Sequence, residues 1–479
     1  MNTLNEKKVD EWIAAHEQEL YGDIMTLVRI PSVSDSSSRD FPPYGKACRD
    51  ALDEALSLAE KYGFQTKNHE YYCGTVTMPG RSAERIGMFS HLDVVPPGTG
   101  WATDPFEPFI RDGYMFGRGA KDNKGPAMAC LYAMRCLKDL NATPERSVML
   151  FLGCNEEVGM GDIAYYLQHN EAPRFSFTGD ASFSVCYAEK GVLEVDLEAH
   201  AEGNIARLQA GTASNVVPNK ATAWLKALSA GQAAALQTCK DIVNVEQEPD
   251  GTWRVEAKGV AAHAAFCEKG ESAILTLIRA IIAAGCTEGS EESVLKGMAS
   301  ALSTIYGEGF GIAFEDDASG KTTCIGGLAS GDGKKICLNL NIRYSVTQPI
   351  EALRAGLEKA VGAFGFRIVN FNDNPPAYVP REEPIIDALA NCCNEVLGYD
   401  LPPYSMGGGT YARKLPNAVA YGPDVKVEPD PFENGHGRGH QPDEAMKLLN
   451  LRRAIRIYVS ALRLIDAYLT EKEQKVSEI

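Results

Sequence analysis

Apolar positions in the first 190 residues recur with two different periods. Residues 46–63 carry Ala47, Leu52, Ala55, Leu56, Leu58 and Ala59 at helical spacing, and Gly63 punctuates the end. Met1–Arg29, rich in Lys and Glu, reads as an amphipathic helix. Ile86–Phe89 reads as a short apolar strand running into Ser90-His91-Leu92-Asp93. A loop rich in Pro, Gly and Trp (96–108) leads to a helix over Gly125–Leu140, and Ser147–Gly153 follows as a buried strand. Strands alternating with helices specify an α/β domain with a largely parallel sheet.

Near residue 191 the texture changes. Val192–Ala199 alternates apolar and polar residues, the signature of a half-solvated strand. Arg254–Val260 and Ile336–Ser345 read similarly, with helices expected over 272–285 and 350–363. From Tyr378 the α/β texture returns. A closing helix is predicted over Asp443–Tyr468, with Leu448, Leu449, Leu451, Ile455, Val459, Leu462 and Ile465 on one face. The expected organisation is an α/β catalytic domain, residues 1–190 and 378–479, interrupted by an inserted α+β lid domain, residues 191–377. There is no internal repeat.

Length supports two domains, since 479 residues exceed what one core comfortably holds. A formal charge of −17 argues against a nucleic-acid partner, because a phosphate-binding surface carries a basic excess. No run approaches the roughly 20 apolar residues that span a bilayer, and Met1–Arg29 lacks the apolar core of a secretion signal. The thirteen cysteines are odd in number and form no C-x-x-C pair. Several sit in apolar runs such as Val148–Cys154. They are expected to be buried free thiols in a reducing compartment, which points to the cytoplasm.

Candidate chemistry lies where strands end. His91-Leu92-Asp93 closes the first apolar strand, and residues two apart on a strand share a face, so Asp93 is placed to hold the His91 ring. Asp122 lies in a glycine-rich loop, Gly117 to Gly125, leading into a helix. Glu156-Glu157 follows the most apolar strand, Asp180 follows Arg174–Phe177, and His440 precedes the closing helix. Each alone has an ordinary reading: a structural histidine, solvated glutamates, a helix cap. Together they put imidazoles and carboxylates at the carboxyl ends of successive strands, where open α/β sheets bind ligands. Adjacent glutamates also permit a division of labour, one ligating a metal and the other moving a proton.

The segments Ser90-His91-Leu92-Asp93-Val94-Val95-Pro96, Gly117-Arg118-Gly119 through Asp122 to Lys124-Gly125, and Glu156-Glu157-Val158-Gly159 resemble the two-zinc metallopeptidase family. That family holds aminoacylase, the glutamate carboxypeptidases, acetylornithine deacetylase, succinyl-diaminopimelate desuccinylase and bacterial dipeptidases. The resemblance runs from about residue 20 to the closing helix. It implies a zinc-peptidase-like catalytic domain with two zinc ions, Mn or Co being possible substitutes. Asp122 would bridge the ions, His91 and Asp180 would complete one site, and Glu157 and His440 the other. Glu156 would be the general base, Asp93 the partner of His91, and the Asp122–Asn123 peptide would be cis. His440 is favoured over His436, expected at the surface, because the family's last histidine precedes a helix. One departure is Thr178-Gly179-Asp180-Ala181, where the dipeptidases more often show proline just before the acid.

Lys121-Asp122-Asn123-Lys124-Gly125, Gly407-Gly408-Gly409-Thr410-Tyr411-Ala412-Arg413 and the large insertion are most similar to the dipeptidase V branch, the Xaa-His dipeptidase or carnosinase type. By that resemblance His263 stabilises the oxyanion, Asn215 and Arg343 grip the substrate's end, and Gly408 lets the backbone approach it. Read without the family, His263 is a structural histidine and Arg343 the partner of an acid. The glycine run is no phosphate cradle, since no G-K-[ST] follows. The expected function is a metallodipeptidase acting on small peptides with a free amino end. The alternatives are an N-acyl-amino-acid amidohydrolase (a deacylase or desuccinylase) and a catalytically silent peptide-binding protein. A fused lid lets one chain complete the site; the sequence leaves monomer and dimer open.

Overall fold

The helical spacing near the amino terminus forms α1 (Glu6–Val28), whose cap Asn5 accepts the Lys7 N–H through its side chain. The computed structural model describes residues 5–429, 431–433 and 435–477, so the first four residues of the expected helix lie outside the described residues. The chain divides into two compact units. One comprises Met1–Tyr187, Ala377–Tyr404 and Gly409–Ile479, the other Ala188–Pro376 and Ser405–Gly408.

In the first unit α2 (Lys46–Lys61) is followed by β1 (Gln65–His69), β2 (Cys73–Met78) and β3 (Ser82–His91). Then come α3 (Lys124–Asp139), β4 (Arg146–Gly153), α4 (Gly161–His169) and β5 (Phe175–Thr178). After the second unit the chain adds α5 (Pro384–Leu397), β6 (Ala418–Tyr421) and α6 (Leu448–Ser477). The main sheet runs β1-β2-β4-β3-β5-β6 and continues through Val185–Glu189 to Ala377–Tyr378. Its centre, β4-β3-β5-β6, is parallel, and β1 and β2 join it antiparallel. The central strands are apolar almost throughout because both faces are covered: β4 is buried from Val148 to Gly153 and β3 from Ile86 to His91. Helix α3 is likewise buried from Lys124 to Met134, packed against α1, α6 and β3. Since β3, β4 and β5 are parallel, His91, the residues after Gly153 and the residues after Thr178 emerge at one end of the sheet.

The closing helix differs from its expected bounds. It starts at Leu448 rather than Asp443, because Ala445–Lys447 pairs antiparallel with Tyr114–Phe116. Asp443 moreover has φ 55°, a left-handed conformation that no helix interior accepts. The helix also continues past Tyr468 through polar residues that apolar spacing does not mark.

The second unit is an eight-stranded antiparallel sheet. Its order is Ile242–Gln247, Trp253–Lys258, Lys220–Leu225, Ile205–Ala210, Thr323–Gly331, Lys335–Tyr344, Gly191–His200 and Phe366–Asn374. Along Gly191–His200 every second residue is buried, and Leu193, Val195, Leu197 and Ala199 enter the core. Helices Ala273–Ala283 and Ile350–Ala363 pack on that apolar face. Ala230–Thr238, opened by a Ser229/Gln232 capping box, and Glu291–Ala301 extend the same layer. All thirteen cysteines are free and eleven are buried. Among the described residues no helix is long and apolar enough to cross a membrane.

Leu340 is fully buried in the core of the second unit, whereas Val243 is 56% exposed. Leu340→Ala should therefore cost about 2–5 kcal/mol in chemical denaturation, and Val243→Ala about 0.5 kcal/mol or less. Equal losses would mean that this core is misassigned.

Candidate metal centre

His91, the last residue of β3, is buried with its ring held from both sides. Its Nδ1–H donates to the Asp93 carbonyl at 2.9 Å, and the Asp93 carboxylate stands 3.5 Å from the same nitrogen. That carboxylate is itself fully buried and accepts the N–H groups of Glu156 and Glu157 at 3.1 and 3.2 Å. Asp93 thus orients His91 mainly through its backbone, and its side chain clamps the turn that carries the two glutamates.

With Nδ1 donating, His91 presents Nε2 to the acids opposite. It lies 3.1 Å from Asp122 Oδ1 and 3.7 Å from Asp180 Oδ2. The second Asp122 oxygen stands 3.2 Å from His440 Nε2, which is 3.0 Å from Glu157 Oε2. One carboxylate therefore faces two imidazoles. Asp122 precedes α3, its peptide bond to Asn123 is cis, and Asn123 Nδ2 donates to the Gly179 carbonyl at 2.9 Å and to Asp180 at 3.1 Å. The loop before α3 is tied in this way to the turn after β5. Ligand-type atoms of His91, Asp122 and Glu157 all lie within 4.8 Å of one another, as do those of His91, Glu156 and Asp180.

Crowding so many ionisable groups has electrostatic consequences. Burial pushes the Glu156 carboxyl well above the usual range, reinforced by the charges of Asp180, Glu157 and Asp93. Burial and the Asp122 charge lift Asp180 to about 7. Burial would raise Asp122 too, but its hydrogen bonds to His440 and His91 hold it far below the ordinary value. His440, bonded to Asp122 and Glu157, rises to about 11. Burial lowers His91, yet Asp122 and Asp93 lift it well above a free imidazole. Four carboxylates converging on two imidazoles form an excess of negative charge around nitrogen and oxygen donors. That donor set fits divalent cations of the zinc type.

Asp162 went unnoticed in the sequence, where it passes for an ordinary acid in the first turn of a helix. It is buried, and its Oδ2 accepts the N–H groups of Cys154 and Asn155 at 2.7 and 2.8 Å and the Tyr411 hydroxyl at 2.5 Å. It pins the chain between β4 and Glu156. His436, which the sequence places at the surface, is half-exposed and sits 2.8 Å from Asp443.

Four further candidates lie in the second unit. Val216 bridges His263, and the Ala264 N–H donates to the Asn215 carbonyl at 2.9 Å. His263 Nδ1 accepts the Ala265 N–H at 3.1 Å, so the neutral ring carries its proton on Nε2. Burial and the nearby Arg343 charge lower its pKa, favouring that neutral form. Arg343 donates from Nε to Asn341 at 2.9 Å and from Nη1 to the Gly407 carbonyl at 3.2 Å. A Cβ on Gly408 would meet no atom within 4 Å, whereas one on Gly407 would meet Ala265 at 2.7 Å. Close packing within the fold thus accounts for Gly407 and not for Gly408.

A mixed sheet with a parallel centre gathers metal-type donors at its carboxyl edge, an arrangement compatible with a metallohydrolase-like domain. The sequence profile of Peptidase family M20/M25/M40 matches residues 87–464. YtjP of Bacillus subtilis strain 168, named only provisionally as a dipeptidase, is 30% identical over 93% of this chain and 97% of its own length. The Beta-Ala-Xaa dipeptidase of Lactobacillus delbrueckii subsp. lactis is 29% identical over 96% and 98%. The chain belongs to Peptidase family M20/M25/M40, whose members are typically dinuclear metal hydrolases. Two solved structures share the fold. Aminoacylhistidine dipeptidase from Vibrio alginolyticus has a TM-score of 0.58 and 12% identity, covering 92% of this chain and 96% of that one. For human carnosine dipeptidase 1 the values are 0.55 and 14%, with 97% and 100% covered.

Removing the Tyr411 hydroxyl should cost about 1 kcal/mol, while Asp162→Ala should cost several times that by stranding the Cys154, Asn155 and Ile163 N–H groups as well. Denaturation of Tyr411→Phe, Asp162→Ala and the double variant tests the network. Strictly additive losses would contradict it.

Proposed function

We propose that this chain is a metallodipeptidase that hydrolyses the amide bond of dipeptides and other short peptides with a free amino end. The observation that carries the reading is Asp122, a single carboxylate facing His91 with one oxygen and His440 with the other, ringed by Glu156, Glu157 and Asp180 in a member of a peptidase family. The cofactors are two zinc ions, replaceable by Mn or Co. His91, Asp122 and Asp180 would hold one, and Asp122, Glu157 and His440 the other. When bound, such ions polarise the scissile carbonyl and make water more acidic.

The protein's own groups complete the reaction. Glu156, next to the proposed ligand Glu157 and grouped with His91 and Asp180, takes a proton from the attacking water as the water oxygen bonds to the carbonyl carbon. It returns that proton to the amine nitrogen as the C–N bond breaks. Asp93 fixes the Glu156 and Glu157 backbones, so the base and its neighbour cannot turn independently. His263, protonated on Nε2, donates to the developing oxyanion. Arg343 and Asn215 take the substrate's terminal carboxylate, a contact that selects short peptides, and Gly408 lies against the substrate backbone. The relatives named as dipeptidases support this substrate class. The buried free thiols support a reducing compartment, the cytoplasm. Neither nucleic acid nor membrane takes part, and a monomer or a dimer is compatible with the reaction.

The zinc-loaded protein should turn over free dipeptides and leave N-acetyl and N-succinyl amino acids intact, and Glu156→Gln should slow it about 10²–10⁴-fold. Preference for the acylated amino acids would make it a deacylase. Peptide binding without turnover would make it a binding protein, and either outcome would overturn the reading.

A further inference from the structure

The loop that carries Asp122 is organised by an acid far along the chain. Glu444 is fully buried, and its Oε1 accepts the N–H groups of Gly119, Lys121 and Asp122, each at 3.0 Å. Its other oxygen accepts from Arg118 Nη1, and its own carbonyl accepts the Gly117 N–H at 2.9 Å. Three amides of one loop thus point at one oxygen, the last of them belonging to Asp122. Glu444 stands four residues after His440, so the same contact ties the segment bearing His440 to the loop bearing Asp122. Gly439 completes the approach, since a Cβ there would come within 3.0 Å of Asp122 Oδ2.

The geometry fits a positioning role better than a charge role. Arg118 is 1% exposed and neutralises the glutamate at the oxygen remote from the amides. What remains on the other side is an acceptor that converts a glycine-rich loop, with Gly119 at φ 92°, into a rigid turn. The direction of the Asp122 carboxylate depends on that turn, because its backbone N–H is one of the three groups held.

We propose that Glu444 is the positioning residue of the centre: by gathering the Gly119, Lys121 and Asp122 N–H groups it aims the Asp122 carboxylate, and thereby sets how tightly the centre holds divalent cations. The inference rests on the reading of Asp122 as a metal ligand. Groups that orient metal ligands from behind typically change affinity about 10- to 100-fold.

The test removes the ion pair first, so that the acceptor alone is varied. In an Arg118→Met background, full-length proteins carrying Glu444→Gln, which keeps an acceptor oxygen, and Glu444→Met, which does not, are compared with wild type. Zinc affinity is measured by chelator competition, and the visible spectrum is recorded after cobalt loading. Melting of the metal-free proteins serves as the folding control. The Gln variant should stay within about threefold of wild type in zinc affinity, and the Met variant should fall about 10- to 100-fold with an altered cobalt spectrum. Equal affinity in the Gln and Met variants overturns the proposal, as does a loss in both that tracks their melting temperatures. If the Met variant does not fold, Glu444→Ala in the same background decides, on the same criteria. A wild-type protein that takes up no zinc would instead overturn the proposed function.

Discussion

A carboxylate shared between two imidazoles sets the terms for the rest of the first unit. To have Asp122 face His91 and His440 at once, the chain must bring β3, the start of α3 and the segment before α6 to one point. Parallel strands achieve part of this, since β3, β4 and β5 all deliver their carboxyl ends to the same edge. The cost is desolvation of several charged groups, which is prohibitive unless each is paired or hydrogen-bonded. Backbone amides meet much of it. Asp93 takes two and Glu444 three, each from a loop that carries a candidate ligand or base, and Asp162 takes two from the segment leading to Glu156 besides one from Ile163. The buried acids around the centre therefore hold its geometry as well as its charge.

The fold was legible because its signals are local. The alternation of Val192–Ala199 has a direct counterpart in the burial of Gly191–His200, and the helices expected over 272–285 and 350–363 lie at Ala273–Ala283 and Ile350–Ala363. Most residues proposed for the metal centre were visible for a similar reason, because His91, Asp122, Glu156, Glu157 and Asp180 each end a strand or precede a helix, whereas His440 lies in a turn separated from α6 by the strand Ala445–Lys447. The closing helix was misjudged at its start. Apolar spacing cannot reveal that Ala445–Lys447 is taken up by a strand partner more than three hundred residues earlier.

Long-range partners account for the other gaps. Asp162 and Glu444 carry no local sign of what they hold, since their donors lie in other loops or, for Tyr411, some 249 residues away. The Asp93 carboxylate faces His91 Nδ1 at 3.5 Å, as its place two residues along the strand suggests, but nothing local announces that it also accepts the Glu156 and Glu157 amides or that its carbonyl takes the histidine N–H. The proton on His263 Nε2 follows from a contact with Ala265, a neighbour whose orientation only the folded backbone reveals.

The central claim is that Asp122 is shared by two cations. Crystals of the zinc-loaded protein, measured at the zinc absorption edge, test it directly through an anomalous-difference map. The account predicts two peaks per chain, both in contact with Asp122, one also touching His91 and Asp180 and the other Glu157 and His440. A single peak, or two peaks of which only one touches Asp122, would contradict it.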